Sequence, residues 1–458
     1  MFTFIFDNDS KVSLYEQLYT EIKNRISSGA MKPGEKLPSK RNLAKQLSIS
    51  VITIENAYNQ LLSEGFIYSL PRKGFFVNDI FEGFIPQSPQ PPVVRNIEKK
   101  PSYFADFSSN STETSTFPFS TWAKITRKVL ANDRALLLEN SPSNGIEELR
   151  VCIANYLSEF RGIHISPDNI VIGAGSEAIY HFIIQILGRH RVYACENPGY
   201  AKVANILSAN DVNFYKIPMD SDGIIPAELY QNDISVVHVT PSHHFPTGIT
   251  MPIKRRYELL KWANAGTDSK RIIIEDEYDS EFRHTGRPIP SLFSIGSENV
   301  IYINTFTKSL ASTIRISYMV LPDYFMQVFR DNLSFYSCTV STFEQLTLAR
   351  FISEGYFEKH LNRMRNISKK KRDTLLSCLA QSPLGPIIRI HENQSGLHFL
   401  MDIDLDSLGI TDRIFTEKCS ENHIKIKTVS NNTYMINYSS IPLENIPQAV
   451  ELLSKGLK

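Results

Sequence analysis

The sequence predicts an α/β protein in which a small helical head with a β wing precedes a large body built on a mostly parallel sheet. Three observations carry this expectation. A proline-bearing break lies between Phe84 and Pro101, short helical stripes precede it, and strands alternating with helix-like segments follow it. The 458 residues suggest about three structural units, at roughly 100 to 200 residues per domain. A hydrophobic share of 42% and a charged share of 21% are ordinary globular usage and exclude a fibrous or mostly disordered chain. The net charge of +1 points to no nucleic-acid, membrane or acidic partner, although an average can hide opposed domains.

The five cysteines (Cys152, Cys195, Cys338, Cys378, Cys419) are odd in number and form no CxxC pair, which fits a reducing compartment and argues against a thiolate metal site. The apolar opening from Met1 to Phe6 meets Asp7 and Asp9 without a basic leader, and no run of about 20 apolar residues follows. The expectation is a cytoplasmic protein with no signal peptide or membrane span.

In the head, residues 1–80, Leu14, Leu18, Ile22 and Ile26 fall every four residues, the stripe of an amphipathic helix that Gly29 can end. Ser39 is a fitting N-cap for a second helix carrying Leu43, Ala44 and Leu47. Ser50 fits a third with Ile54, Ala57, Tyr58, Leu61 and Leu62 inward. Two short capped helices split by a tight turn read as a helix-turn-helix, and Phe66 to Val77 reads as two strands around a basic turn, a wing. Between residues 23 and 73, nine cations stand against three anions, a local balance of +6 that can neutralise several phosphates. A basic face on a partner-binding module fits the same count.

The linker, residues 81–104, holds Pro86, Pro89, Pro91, Pro92 and Pro101, which remove backbone donors and favour extended chain. In the body, residues 105–458, Ile170-Val-Ile-Gly-Ala-Gly-Ser-Glu177 is a short apolar strand breaking into a Gly-rich turn and then a helix from Ala178 to Leu187. Such a turn either holds a phosphate at the helix start or is a plain βα connection. Further strands are expected at Arg191 to Cys195, Ile234 to Thr240, Arg271 to Glu275 and Val300 to Thr305. Their ends carry Glu196-Asn-Pro-Gly-Tyr200, Pro241-Ser-His-His-Phe-Pro-Thr-Gly248, Glu275-Asp-Glu-Tyr-Asp-Ser-Glu-Phe282 and Thr305-Phe-Thr-Lys-Ser309 with Arg315 beyond. Ligands of parallel α/β sheets sit at such ends. A lysine framed by threonines, a nearby arginine and an acid on a neighbouring strand suit pyridoxal phosphate. That cofactor needs an amine for its aldehyde, cations and hydroxyls for its phosphate, and a carboxylate for its ring nitrogen. His243 and His244 could suggest a metal, but adjacent histidines point apart and no third ligand is evident, so no metal is expected and a ring-edge contact is the better reading.

The segment LPSKRNLAKQLSISVITIENAYNQLLSEGFIYSLPRKGFFV (37 to 77) resembles the GntR-type winged helix-turn-helix of bacterial regulators. The resemblance implies contacts to double-stranded operator DNA from Lys40, Arg41, Ser50, Thr53, Asn56, Lys73 and Gly74. Members often carry Arg where this sequence has Val51. The body resembles a fold type I aminotransferase, with a mostly parallel sheet and a small C-terminal α+β subdomain. By that resemblance Lys308 forms the internal aldimine, Asp276 pairs with the ring nitrogen, Tyr278 bonds the ring hydroxyl and Tyr200 stacks on the ring. Arg315, Thr305, Thr307, Gly175 and Ser176 hold the phosphate.

A GntR-type head, a proline-bearing linker and an aminotransferase-like body, in this order, are similar to the MocR/GabR family of transcriptional regulators. That resemblance implies pyridoxal phosphate in the body and head-to-tail homodimers. It also implies use of the aminotransferase-like part as a sensor rather than an enzyme. Aminotransferases and GABA-sensing members hold a substrate carboxylate with an arginine near the C-terminus, where this sequence has Met435 in Tyr434-Met-Ile-Asn-Tyr438. A thioether cannot replace a bidentate guanidinium contact. Lys202 and Arg389 remain as candidate anion partners. The expected effector is therefore pyridoxal phosphate itself, acting on vitamin B6 synthesis or salvage genes as in the PdxR-type branch. The alternatives are an amine or amino acid of the GABA, taurine or D-alanine class, and a working aminotransferase.

Overall fold

The computed structural model describes residues 4, 6–7, 12–80, 102–109, 111–265, 270–284, 289–391 and 394–457. The expected linker lies outside these residues except for its last three. The chain divides into two units, Met1–Lys99 and Lys100–Lys458.

In the first unit, α1 (Leu14–Ser27) buries Leu18, Ile22 and Ile26, the four-residue stripe read from the sequence. Helix α2 (Lys40–Leu47) starts at Ser39, whose hydroxyl accepts from Asn42 N at 3.3 Å, and it stops at Ser48 in the left-handed region (φ 55°). Helix α3 (Val51–Ser63) starts at Ser50, which accepts from Thr53 N at 3.1 Å. Each cap satisfies a backbone donor that the first helical turn leaves unpaired. Strands β1 (Ile67–Leu70) and β2 (Gly74–Val77) pair antiparallel, and Arg72 (φ 62°) and Gly74 (φ 107°) turn the chain between them.

The second unit begins with β3 (Ala105–Asp106) and helices α4 (Phe119–Asn132), α5 (Arg134–Leu138) and α6 (Glu147–Arg161). The main sheet contains β4 (Ile170–Gly173), β5 (Tyr193–Asn197), β6 (Phe214–Asp220), β7 (Gly223–Ile224), β8 (Val236–Val239), β9 (Ile272–Asp276), β10 (Val300–Thr305) and β11 (Ser317–Val320). Their spatial order is β4-β11-β10-β9-β8-β5-β6-β7, and the run from β10 to β6 is parallel throughout. Apolar cores cover both faces of the central strands. Ile273 packs on one side and Ile272 and Ile274 on the other, which is why these strands read as unbroken apolar runs. Helices α7 (Ser176–Leu187) and α8 (Ala201–Ala209) follow β4 and β5.

Several strand ends differ from the sequence expectation. Strand β5 begins at Tyr193 rather than at Arg191, whose guanidinium donates to the Leu187 and Lys270 carbonyls, and β8 stops at Val239 because Thr240 N donates to the Glu196 carboxylate. Helix α7 starts two residues before the expected Ala178, since Gly175 (φ 81°) makes the turn at once.

The C-terminal part is an antiparallel sheet of β12 (Ile388–His391), β13 (His398–Ile403), β15 (Lys427–Ser430) and β16 (Thr433–Asn437), in the order β12-β13-β16-β15. Strand β14 (Ile424–Lys425) pairs separately with β3. Phe399, Met401, Ile403, Tyr434 and Ile436 point into the core of this subdomain. By strand alternation His398, Leu400, Met435 and Asn437 occupy the opposite face. Among the described residues no helix is long and apolar enough to cross a membrane.

Candidate functional site

Beyond the carboxyl ends of β8, β9 and β10 lies a cavity of about 220 Å³, lined on its far side by Leu397, His398 and Asn437. Lys308 projects into it from a one-turn helix (Phe306–Ser309) that follows β10 directly. Thr305 starts that turn, its Oγ1 accepting from Thr307 N at 3.1 Å and from Ser317 Oγ at 2.8 Å, and it donates to Thr307 Oγ1 at 2.7 Å. The lysine is thus placed by a strand end and two mutually bonded threonines. Enclosure by the cavity walls pushes its ammonium down to about 8, against the opposing pull of Asp279.

Asp276, the last residue of β9, lines the same cavity. The Tyr180 hydroxyl donates to Asp276 Oδ2 at 2.7 Å, so the His238 Nε2–H, 2.8 Å from the Tyr180 oxygen, is the donor of that second bond. Burial, with Asp279 and Asp276 nearby, holds the Tyr278 phenol protonated, and its oxygen lies 3.1 Å from His243 Nδ1. Tyr200 is 39% exposed at the cavity and packs edge-on to Phe245, with ring centroids 5.4 Å apart. Arg315, Thr305, Thr307 and Ser176 complete the wall, and Gly175 lies against Arg315: a Cβ there would sit 2.3 Å from the guanidinium. All the expected ring and phosphate residues therefore surround or border one cavity.

The acidic run after β9 separates by role. Glu275 accepts from Leu292 N and Phe293 N, Glu277 pairs with buried Arg161 at 2.6 Å, and Glu281 accepts from Asn304 and Tyr156. Only Asp276 and Asp279 of that run reach the cavity. Sequence reasoning missed Asp279, His398, Leu397 and Asn437. The signal that could have found His398 and Asn437 is the period-two alternation of β13 and β16, whereas Leu397 precedes β13 and falls outside that alternation.

Three expectations are corrected. His243 does have further partners, since it lies with Asp279 and His398 so that their ligating atoms are within 4.8 Å of one another. His243 Nδ1 is 2.8 Å from Asp279 Oδ2, and the histidine lining the cavity is His398 rather than His243 or His244. Arg389 is exposed on β12 and absent from the cavity wall. Lys202 is in the wall, but its ammonium contacts the Glu177 carboxylate, which also contacts Arg315.

In the head, Arg41, Ser50, Asn56 and Lys73 are exposed, and Thr53 and Gly74 are half-buried. The Ser50 and Thr53 hydroxyls face each other at 2.8 Å. Lys40 pairs with Glu55 at 2.6 Å and Lys23 with Glu64 at 3.1 Å, so part of the +6 balance is neutralised locally. Val51 and Ile52, 43% and 68% exposed, stand at the start of α3 where an arginine is usual in the resembling family.

Residues 14–77 match the family described as bacterial regulatory proteins, gntR family. The chain is 37% identical over 457 residues to an uncharacterized HTH-type transcriptional regulator, YdeL, of Bacillus subtilis, covering 98% of this chain and 97% of that one. It is 27% identical to the HTH-type pyridoxine biosynthesis transcriptional regulator PdxR of Corynebacterium glutamicum, over 86% of this chain and 84% of the relative. The fold matches a kynurenine aminotransferase of Pyrococcus horikoshii with a TM-score of 0.66 at 23% identity, over 78% of this chain and 91% of the other. A gntR-type helix-turn-helix joined to an aminotransferase-like fold defines a class of bacterial regulator, and the chain belongs to the MocR/GabR family of transcriptional regulators.

The residues present fit pyridoxal phosphate. An enclosed amine of lowered basicity, a buried carboxylate held by Tyr180, and an arginine beside a glycine that leaves room for it are the donor set that its aldehyde, ring nitrogen and phosphate require.

Proposed function

We propose that the body senses pyridoxal phosphate itself and that its occupancy changes operator binding by the head, at genes of vitamin B6 synthesis or salvage. The observation that carries this reading is a cofactor frame facing strands that bring no arginine or lysine to the wall: Lys308, Asp276 and Arg315 line the cavity, and β13 and β16 contribute only His398 and Asn437 to it, with Met435 on the same face where an arginine was expected. When bound, the cofactor supplies an electrophilic aldehyde and an electron-withdrawing ring. Lys308 offers the amine, Asp276 holds the ring nitrogen, Tyr278 the ring hydroxyl, and Tyr200 covers the ring. Arg315, Thr305, Thr307, Ser176 and the amide beside Gly175 hold the phosphate. Arg41, Asn56 and Lys73, exposed on α2, α3 and the wing, face DNA together with Lys40, Ser50, Thr53 and Gly74. The relative named for pyridoxine biosynthesis supports the choice of effector. The protein works in the cytoplasm as a homodimer without enzymatic turnover, and the exposed side chains of Leu138 (87%) and Phe335 (76%) support a second copy.

One observation favours an amino-acid effector instead. Lys427 stands opposite Met435 in the β15–β16 register, and its ammonium lies 5.8 Å from the ring of Phe245, which lines the cavity. A Lys308→Ala variant separates these readings from an unrelated use of the fold. It is expected to lose the absorbance band that appears when the aldehyde joins Lys308, and with it every ligand response, while keeping DNA affinity. Screening the loaded wild type against amines then distinguishes the effectors: a spectral change with an amino acid that also alters DNA binding selects the second reading.

A further inference from the structure

The phosphate end of the cavity already contains an anion of the protein's own. Glu177 is the second residue of α7, and its two carboxylate oxygens contact different cations, Oε1 the Lys202 ammonium and Oε2 the Arg315 guanidinium. Ser176, Lys202 and Arg315 all line the cavity. Partial burial works against ionisation of Glu177, but the Lys202 and Arg315 contacts hold its carboxyl below the usual range, so it is an anion at neutral pH. The helix start also favours negative charge at this position. Among the described residues, neither Lys202 nor Arg315 has another carboxylate partner.

We infer that Glu177 is the residue that sets the affinity of the site for a phosphate-bearing ligand, by competing with the phosphate for Arg315 and Lys202. This rests on the pyridoxal phosphate reading above and deepens it. An arriving phosphate dianion must share Arg315 with a carboxylate already on it, or displace that carboxylate toward Lys202. Like-charge repulsion and the lost ion pair both oppose filling. A permanently loaded enzyme gains nothing from this arrangement, whereas a sensor must release its ligand when the free concentration falls. Glu177 gives the cavity that exchangeability without altering Lys308, Asp276 or Tyr200.

The test compares full-length wild type with Glu177→Gln and Glu177→Ala, purified free of cofactor, using absorbance to follow pyridoxal phosphate joining Lys308 and pyridoxal without its phosphate as the control probe. Glutamine keeps an acceptor for Arg315 and removes the charge. Glu177→Gln is expected to bind pyridoxal phosphate about tenfold more tightly, with pyridoxal unchanged within about twofold, and Glu177→Ala to shift in the same direction. The concentration of pyridoxal phosphate that half-changes DNA binding is expected to fall by the same factor. Unchanged or weaker binding of pyridoxal phosphate in both variants would overturn the inference and leave Glu177 a positioning residue for Arg315. An equal gain for pyridoxal would overturn it too, since the effect would not act through phosphate. If pyridoxal phosphate joins Lys308 in none of the three proteins, the cofactor reading fails and this inference with it.

Discussion

Lys308 owes its lowered basicity to enclosure rather than to a neighbouring cation, because the one charged group that acts on it, Asp279, pulls the other way. With a value of about 8, the neutral amine gains about tenfold per pH unit as pH rises toward that value, and then levels off. The rate at which Lys308 captures the aldehyde is therefore expected to climb from pH 6 to about 8 and flatten above, measured by stopped-flow absorbance. Asp279 holds the ammonium charged, so an Asp279→Asn variant should shift the midpoint to lower pH. Gly175 provides a second residue-scale check. Its φ of 81° is left-handed and a Cβ would fall 2.3 Å from Arg315, so Gly175→Ala should weaken pyridoxal phosphate by at least about tenfold and leave pyridoxal nearly unaffected. The sequence marked Lys308, Asp276 and Arg315 because their chemistry is unusual at strand ends. It could not separate Asp279 from Glu275, Glu277 and Glu281, since which acids meet backbone amides or buried arginine is settled by distant chain, namely Leu292, Arg161 and Asn304.

Elements were legible wherever a local signal ended them. Ser39 and Ser50 cap α2 and α3 as their positions imply, and the Phe66 to Val77 wing closes through Arg72 and Gly74. Ser50→Ala should cost about 1 kcal/mol of stability in the head, read as a lower melting temperature for its unfolding transition in the full-length protein. The ends of β5 and β8 were not legible, because a strand ends where its ladder partner is replaced. At β8 the replacement is the Glu196 carboxylate on Thr240 N. The same limit hid Lys427. Its distance in sequence from Phe245 says nothing, and only the pairing of β15 with β16 places it opposite Met435. Met435 itself was legible as a missing arginine only through comparison with a family pattern.

For the whole molecule, the near-neutral charge conceals a division of labour. The segment from 23 to 73 holds nine cations and three anions, a balance of +6, which leaves −5 for the rest of a chain that totals +1. Ion pairing withdraws Lys23 and Lys40 from that surface, while Lys36, Arg41, Lys45, Arg72 and Lys73 make no ion pair among the described residues. Operator affinity should therefore fall steeply with salt. Arg41→Ala and Lys73→Ala should each reduce the log–log salt slope by about 1, and Lys40→Ala by less, because its partner Glu55 already screens it. The body's fold was visible in the alternation of apolar strands and helices, and the head's in its caps and stripe.

The most direct measurement of the central claim is a titration of cofactor-free, full-length protein with pyridoxal phosphate, following Lys308 absorbance and operator binding in the same samples. The expected result is a change in DNA affinity or footprint that tracks Lys308 occupancy and disappears in Lys308→Ala. Full occupancy with unchanged affinity and footprint, while an amino acid alters them, would contradict the account.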